Sequence, residues 1–343
     1  MSRARLVKGK IRLSVGLIEG EMTELDARQM LRLTMKRFLQ AHSLPGDRIV
    51  LAVSGGPDSL AMTAICSELQ SEFSIDFYPV NINHQLQSDS SLWSEKTVEI
   101  CKQLGFTNAI SIAVNVDENS GLGLEAAARD ARYRALRDYS QTVGARAIML
   151  AHTTDDQAET VLLRISRGSS TRSLAGMANI TNDLWRPLLD IEREKLHKAL
   201  SDFGLDAIKD PHNFDRQFTR VKIRLDVIPA LISALGQNVV AGLARTARMA
   251  RMDAEALEQI AAKLYPKLTI EGELLIGELV SQPMAIQSRI VHHWLLSRGV
   301  RANSLNADHV FAVCRLAAEP QMKGPIKVAG GVEVQKASGR LRT

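Results

Sequence analysis

A six-residue stretch, Ser54-Gly55-Gly56-Pro57-Asp58-Ser59, constrains this chain more than any other. It follows the apolar run Arg48-Ile49-Val50-Leu51-Ala52-Val53 and precedes Leu60-Ala61-Met62-Thr63-Ala64-Ile65, whose pattern is helical. Strand, glycine turn and helix, in that order, let a backbone wrap an anion. Adjacent glycines permit a sharp turn and close approach. The helix start adds unpaired N–H groups and the positive end of a dipole. Ser54 and Ser59 contribute hydroxyls, and Asp58 a carboxylate able to hold Mg²⁺. The plainer reading is a Gly-Gly turn capped by serine and aspartate, without a ligand. The stretch matches neither G-x-x-x-x-G-K-[ST] nor G-x-G-x-x-G, which removes the Walker and dinucleotide loops from consideration.

Around this loop the sequence alternates between strand and helix. An amphipathic helix over 26–42 is stopped by Pro45-Gly46. Strands are predicted at 48–53, 75–83, 109–114 and 147–151, with helices near 58–71, 92–104, 124–142 and 155–166 between and after them. Such alternation specifies an α/β fold, a doubly wound parallel sheet with helices on both faces. Ligands in these sheets bind beyond the C-terminal ends of the strands. The glycine loop, Asn83-His84 and His152-Thr153-Thr154-Asp155-Asp156 all fall at that edge.

After Pro187 the alternation stops. Segments 193–203, 217–233, 237–262, 283–297 and 305–317 read as helices, and 326–335 as a hairpin turning at Gly330-Gly331. The sequence therefore divides into an extension over 1–25, with Met22 as an alternative start, an α/β domain over 26–185 and a smaller, mainly helical domain over 186–343. A length of 343 residues accommodates both. No apolar run approaches about 18 residues, the length of a membrane span. The three cysteines, Cys66, Cys101 and Cys314, form no CxxC, which argues against zinc, iron–sulfur and disulfide frameworks. These features point to the cytoplasm.

Two further clusters carry chemistry. In Ala151-His152-Thr153-Thr154-Asp155-Asp156-Gln157-Ala158-Glu159-Thr160, a threonine can cap a helix and early acids suit its dipole. Asp156 and Glu159 share one helix face, where two carboxylates can hold a cation, either Mg²⁺ or a substrate ammonium. Glu125, Arg129 and Arg132 share another face. They form either an exposed Glu–Arg row or an arginine aimed at a triphosphate or nucleic acid. A net charge of +5 permits a polyanionic partner, and the basic row Arg220, Lys222, Arg224, Arg245, Arg248 and Arg251 reads either as a solvated helix face or, favoured by its one-sided excess of arginine, as a surface for nucleic acid. Aromatics make up only 4% of the chain, so no base-stacking platform is evident.

These motifs in this order resemble the tRNA(Ile)-lysidine synthase family of PP-loop ATP pyrophosphatases, whose fold is adenine nucleotide alpha hydrolase-like. The resemblance runs over about residues 48–230. It rests on Ser54–Ser59, Asn81-Ile82-Asn83-His84, the segment 124–133, the segment 151–160, Arg167-Gly168-Ser169, Leu174-Ala175-Gly176-Met177, Arg186-Pro187-Leu188-Leu189 and Asp210-Pro211-His212-Asn213. It departs from the family where Ser170 and Ser173 replace loop glycines, where Gln87 replaces an arginine, and where Ala207-Ile208-Lys209 lacks a tryptophan.

The resemblance implies an enzyme that uses ATP and Mg²⁺ to join free lysine to C2 of the wobble cytidine of tRNA(Ile) with a CAU anticodon. It implies that Ser54, Gly55, Gly56, Pro57, Asp58 and Ser59 bind ATP. Asp58 would ligate Mg²⁺, Arg129 would steady the α-phosphate or the base, His152 would shape the pocket, and Asp156 and Glu159 would receive the lysine ammonium. The sequence leaves the oligomeric state open, with a homodimer as one option. The rival readings are a tRNA thiolase on the same loop, a small-molecule ligase and a non-catalytic tRNA-binding relative.

Overall fold

A computed structural model describes residues 26–85, 89–116, 123–166, 171–208, 215–302 and 304–343. Residues 1–25, Gln87, the segment 167–170 and the Asp210–Asn213 element, all noted above, lie outside the described residues. The described residues fall into two compact units, one extending to Arg245 apart from 171–175, and one containing 171–175 and Thr246 onward.

The first unit begins with α1 (Ala27–His42), β1 (Arg48–Ala52), α2 (Pro57–Phe73) and β2 (Asp76–Asn83). It continues with α3 (Ser90–Gln103), β3 (Ile110–Ala113), α4 (Leu124–Thr142), β4 (Ala147–Met149) and α5 (Thr154–Ile165). The one-turn α6 (Thr171–Leu174) belongs to the second unit. β5 (Ile180–Thr181), β6 (Leu184–Trp185) and α7 (Arg193–Asp202) then return to the first. The sheet order is β3-β2-β1-β4-β6-β5, parallel except for β5, which pairs antiparallel with β6.

Alternation along β1 explains the two-faced sheet. Ile49 and Leu51 enter a core formed with Leu31, Met35 and Leu39 of α1 and Leu60, Met62 and Ile65 of α2. Val50 points the other way, into a core with Tyr133 and Leu136 of α4. Strand side chains alternate between faces, so a strand apolar at successive positions is covered on both sides. The expected doubly wound α/β sheet is what forms.

Two features of this unit were not expected from sequence. The short β5–β6 ribbon extends the sheet, because Leu184-Trp185 is too brief to show a period. The division was expected at 185/186, yet α7 packs on α1 and α2, with Leu196, Ala199 and Leu200 buried among their apolar residues. The unit then continues through α8 (Thr219–Lys222), a π-helical turn Ile223–Val227 and α9 (Ile228–Leu235). The boundary falls inside α10 (Val239–Leu268).

The second unit holds most of α10, then β7 (Thr269–Ile270), β8 (Glu273–Leu275), α11 (Ile276–Val280), α12 (Met284–Ser297) and α13 (Ala307–Ala318). β9 (Ile326–Lys327), β10 (Glu333–Ala337) and β11 (Arg340–Arg342) complete it. The expected hairpin exists as the β9–β10 pair, but it is part of a five-stranded antiparallel sheet, β7-β8-β11-β10-β9. Trp294, fully buried, anchors the core and donates its indole N–H to the Gly272 carbonyl at 2.8 Å. No single helix among the described residues is long and apolar enough to cross a membrane.

Candidate active site

The glycine loop is folded by its own serines. The Ser54 N–H donates to Ser59 Oγ at 3.2 Å, the Gly56 N–H to Ser54 Oγ at 3.3 Å, and Ser59 Oγ to the Gly56 carbonyl at 2.9 Å. Gly56 is the N-cap of α2 without a side-chain cap, and Pro57 follows it. The N–H groups of Asp58 and Ser59 therefore lie in a first turn that offers no intrahelical acceptor. Gly55 has φ +82°, and a Cβ there would stand 2.6 Å from Thr97 Oγ1. Its carbonyl accepts from the Ile208 N–H at 2.9 Å. The loop is thus clamped from behind and presents its amides forward.

A second cluster forms at the end of β4. Thr153 caps α5 in a capping box with Asp156: the Thr153 N–H and hydroxyl donate to Asp156 Oδ2 at 2.8 and 2.9 Å. This leaves Asp156 Oδ1 for another partner, the Arg193 Nη2 at 3.1 Å. Glu159, with no side-chain exposure, accepts from Arg224 Nε at 2.8 Å and Nη2 at 3.2 Å, and from both Arg193 Nη atoms at 3.3 Å. Arg193 Nε also donates to Asp58 Oδ2 at 3.3 Å, and its backbone N–H donates to Asp155 Oδ2 at 2.8 Å. His197, one turn along α7, places Nε2 3.2 Å from Asp58 Oδ1.

Burial works to raise the Asp156 carboxyl, but Arg193, His152 and the Thr153 donors outweigh it and hold the group below its usual range. Burial works to lower Arg193, and the carboxylates Asp156, Glu159, Asp58 and Asp155 hold it above its ordinary value. Both groups are therefore charged across the physiological range.

Beside this acidic cluster lies an arginine cluster. Arg129 donates to the Tyr133 hydroxyl at 3.2 Å and stacks over its ring at 4.9 Å; Arg132 approaches the same ring at 5.3 Å. Arg186, buried, donates to the Ala178 carbonyl at 2.9 Å, while its Nε finds no acceptor. Arg220 donates to Thr160 Oγ1 at 2.9 Å. Burial and the neighbours Arg132, Arg220 and Arg186 hold Arg129 below its ordinary value. Burial pushes His152 down to about 3, with Arg132, Arg186 and Arg129 assisting against the pull of Asp156. The imidazole is neutral at pH 7, and its buried Nδ1 has no hydrogen-bond partner.

The structure thus brings together Ser54, Gly55, Gly56, Pro57, Asp58, Ser59, His152, Asp156, Glu159 and Arg129. Glu125 is exposed, and Arg129 turns to Tyr133 rather than to it. Arg220 and Arg224, read in the sequence as part of a basic row facing nucleic acid, instead turn toward α5. Arg224 sits in the π-helical turn, a distortion that re-aims side chains and recurs at functional sites. Arg193 and His197 carried no signal in the sequence: an arginine and a histidine four apart on a helix are ordinary.

For Mg²⁺ the donor set is small. Asp58 Oδ2 accepts from Arg193, whereas Oδ1 faces only His197 Nε2 at 3.2 Å, so Oδ1 is the oxygen that would hold the ion once His197 gives way. Among the described residues no cluster of three metal-ligating side chains occurs. This fits an ion held mainly by substrate phosphates and one carboxylate. A shallow cavity of about 460 Å³, lined by Trp93, Lys96, Asp206 and Ile208 among others, contains none of these charged groups of the site.

Comparison with known proteins follows this division. Residues 25–231 match the PP-loop domain model, and residues 274–342 match the TilS substrate binding domain model. The chain is 36% identical over 314 residues to tRNA(Ile)-lysidine synthase of Thermobifida fusca, covering 91% of this chain and 96% of that protein. It is 39% identical over 299 residues to the Rhodococcus erythropolis protein of that name, covering 87% and 89%. With the Mycobacterium tuberculosis protein of that name it shares 37% over 319 residues, covering 92% and 95%. Among solved structures, the U34-tRNA thiolase NcsA from Methanococcus maripaludis, with its [4Fe-4S] cluster, superposes with a TM-score of 0.56 at 16% identity, over 65% of this chain and 78% of that one. That likeness is one of fold.

Proposed function

Since this chain belongs to the tRNA(Ile)-lysidine synthase family, we propose that its acidic and arginine clusters form one active site for ATP-dependent transfer of lysine to tRNA. The enzyme joins lysine to C2 of the wobble cytidine of tRNA(Ile) with a CAU anticodon. The C2 oxygen of the base attacks the α-phosphate of ATP, breaking the bond to the β-phosphate and releasing pyrophosphate. The ε-amine of lysine then attacks C2, and AMP leaves with that oxygen.

The Gly55, Gly56, Asp58 and Ser59 region seats the departing pyrophosphate at the start of α2, where unpaired N–H groups and the dipole favour negative charge. Ser54 and Ser59 act first by holding this loop in shape. Mg²⁺, held by Asp58 and the phosphates, would supply charge neutralisation there. The arginine cluster faces the adenylated base: Arg129 steadies the α-phosphate, with Arg186 beside it. His152, neutral, shapes the wall between the two clusters and does not serve as an acid. Asp156 and Glu159 receive the lysine ammonium. The attacking amine must be neutral, and Asp156 is a weak base, so the proton passes to water.

The observation that carries this reading is the reach of one side chain. Arg193 contacts Asp58, Asp156 and Glu159 at 3.1–3.3 Å, so the phosphate loop's carboxylate and the α5 carboxylates lie within a guanidinium's width. An amine at α5 would then sit within reach of a base whose C2 oxygen is activated on the phosphates held at α2, the proximity that the second attack needs. Tight positioning of this kind supplies much of the acceleration in such reactions. We further propose a cytoplasmic homodimer.

The test combines the protein with ATP, labelled lysine and tRNA(Ile) bearing a CAU anticodon. Labelled tRNA with AMP and pyrophosphate is expected. Asp156→Asn and Glu159→Gln should abolish transfer while ATP binding persists; wild-type transfer by either would refute the role given to that residue. Sulfur transfer is not favoured: Cys66 and Cys101 lie in the core of the first unit, fully buried, with Cys101 pushed up to about 12 by burial. A sulfur-carrying cysteine needs an accessible thiolate.

A further inference from the structure

Three carboxylates, Asp58, Asp156 and Glu159, meet two guanidiniums, and the two are held differently. Arg224 forms a two-point fork on Glu159 at 2.8 and 3.2 Å. Such bidentate pairs are the strong ones. Arg193 spreads over three carboxylates through contacts of 3.1 and 3.3 Å, its two Nη contacts to Glu159 converging on a single oxygen. Its backbone is fixed independently, by the N–H bond to Asp155 Oδ2 at 2.8 Å. The side chain can therefore leave without disturbing the start of α7.

We propose that Arg193 is an exchangeable counter-ion: its guanidinium fills the position between Asp156 and Glu159 that the substrate ammonium takes, and it swings aside toward Asp58 when lysine binds, while Arg224 stays. Arg193 is then a positioning residue that sets lysine affinity. This rests on Asp156 and Glu159 being the lysine seat. A seat shared with a resident cation shows an apparent dissociation constant equal to the intrinsic one divided by the fraction of time the seat is free. The exchange also explains why buried Asp156 stays ionised before any amine arrives: the Arg193 guanidinium is already there. The guanidinium and the ammonium carry the same charge, so neither state leaves Glu159 unpaired.

Equilibrium dialysis of labelled L-lysine against the full-length protein, with ATP and without tRNA, tests this in the wild type, Arg193→Gln, Arg193→Lys and Asp156→Asn. Arg193→Gln should bind lysine about tenfold more tightly, because the competitor is gone. Arg193→Lys, which keeps the charge, should stay within about threefold of wild type. Asp156→Asn should lose binding. Equal or weaker binding by Arg193→Gln, with binding still lost in Asp156→Asn, overturns the exchange alone. Normal binding by Asp156→Asn overturns the seat itself. If Arg193→Gln does not fold, a crystal structure of the wild type with lysine decides. Arg193 moved beyond hydrogen-bond reach of Glu159 supports the exchange; Arg193 retained on both Asp156 and Glu159 with lysine bound overturns it.

Discussion

Replacing Gly55 by alanine tests the geometry of the phosphate loop without touching a charge. Two costs can be worked separately. The backbone at φ +82° lies in the left-handed region, where an L-residue costs about 1–2 kcal/mol. The new Cβ would stand 2.6 Å from Thr97 Oγ1 and 3.1 Å from Ile208 Cδ1. Thr97 cannot easily yield: it is buried on α3, and its hydroxyl donates to the Trp93 carbonyl at 2.8 Å. Overpacking of this kind costs about 1–3 kcal/mol. The sum is about 2–5 kcal/mol, a loss visible as a lower urea midpoint at unchanged slope. Thr97→Ala in the same chain separates the parts. It should return the contact cost, about 1–3 kcal/mol, and leave the backbone cost in place. ATP affinity should follow the same pattern, since the loop amides move with Gly55. A Gly55→Ala protein within about 0.5 kcal/mol of wild type, or one that Thr97→Ala does not relieve, would refute the claim that α3 clamps the loop from behind.

Three further outcomes follow from the charges. His152 titrates near 6.5 when unfolded and at about 3 in the fold, so the folded state binds fewer protons. Its contribution to stability is full above the unfolded value and is lost as pH falls toward the folded one. Between about pH 7.5 and about pH 5 the loss should be about 2 kcal/mol, read by urea unfolding, and His152→Gln should flatten that dependence. Asp156, held below its usual value, acts in the same direction but only in the more acidic range around and below 3.8. Glu159→Gln should cost about 3 kcal/mol of stability, because Arg193 and Arg224 lose a buried anion; a neutral effect would mean the guanidiniums relocate to solvent. Arg129→Met and Arg186→Met should each weaken ATP binding about tenfold by calorimetry. Wild-type affinity in both would remove the arginine cluster from the phosphate site.

What the sequence disclosed depended on how local the signal was. The sheet was legible because β1 and β4 are apolar on both faces, and the glycine loop because Ser54–Ser59 are consecutive. Asp156 and Glu159 stood out because three residues on a helix are one face. The β5–β6 ribbon and the sheet of the second unit were less visible, since strands of two or three residues show no period. Arg220 and Arg224 were misread for a different reason. A row of arginines on a helix looks the same whether it faces solvent or a buried acid, and only the π-helical turn, which no propensity announces, aims Arg224 at Glu159. Arg193 is the extreme case. Its partners are 135, 37 and 34 residues away in sequence, at the sheet-edge ends of two different helices, α2 and α5. No pairwise spacing encodes such a meeting, because it exists only once α7 has packed on α1 and α2. That packing is apolar, driven by Leu196, Ala199 and Leu200, and is indifferent to what the other face of α7 carries. The charge at 193 is therefore set by the site rather than by the apolar packing of α7, and removing it should cost stability through the uncompensated Asp156 and Glu159, leaving the docking of α7 on α1 and α2 intact.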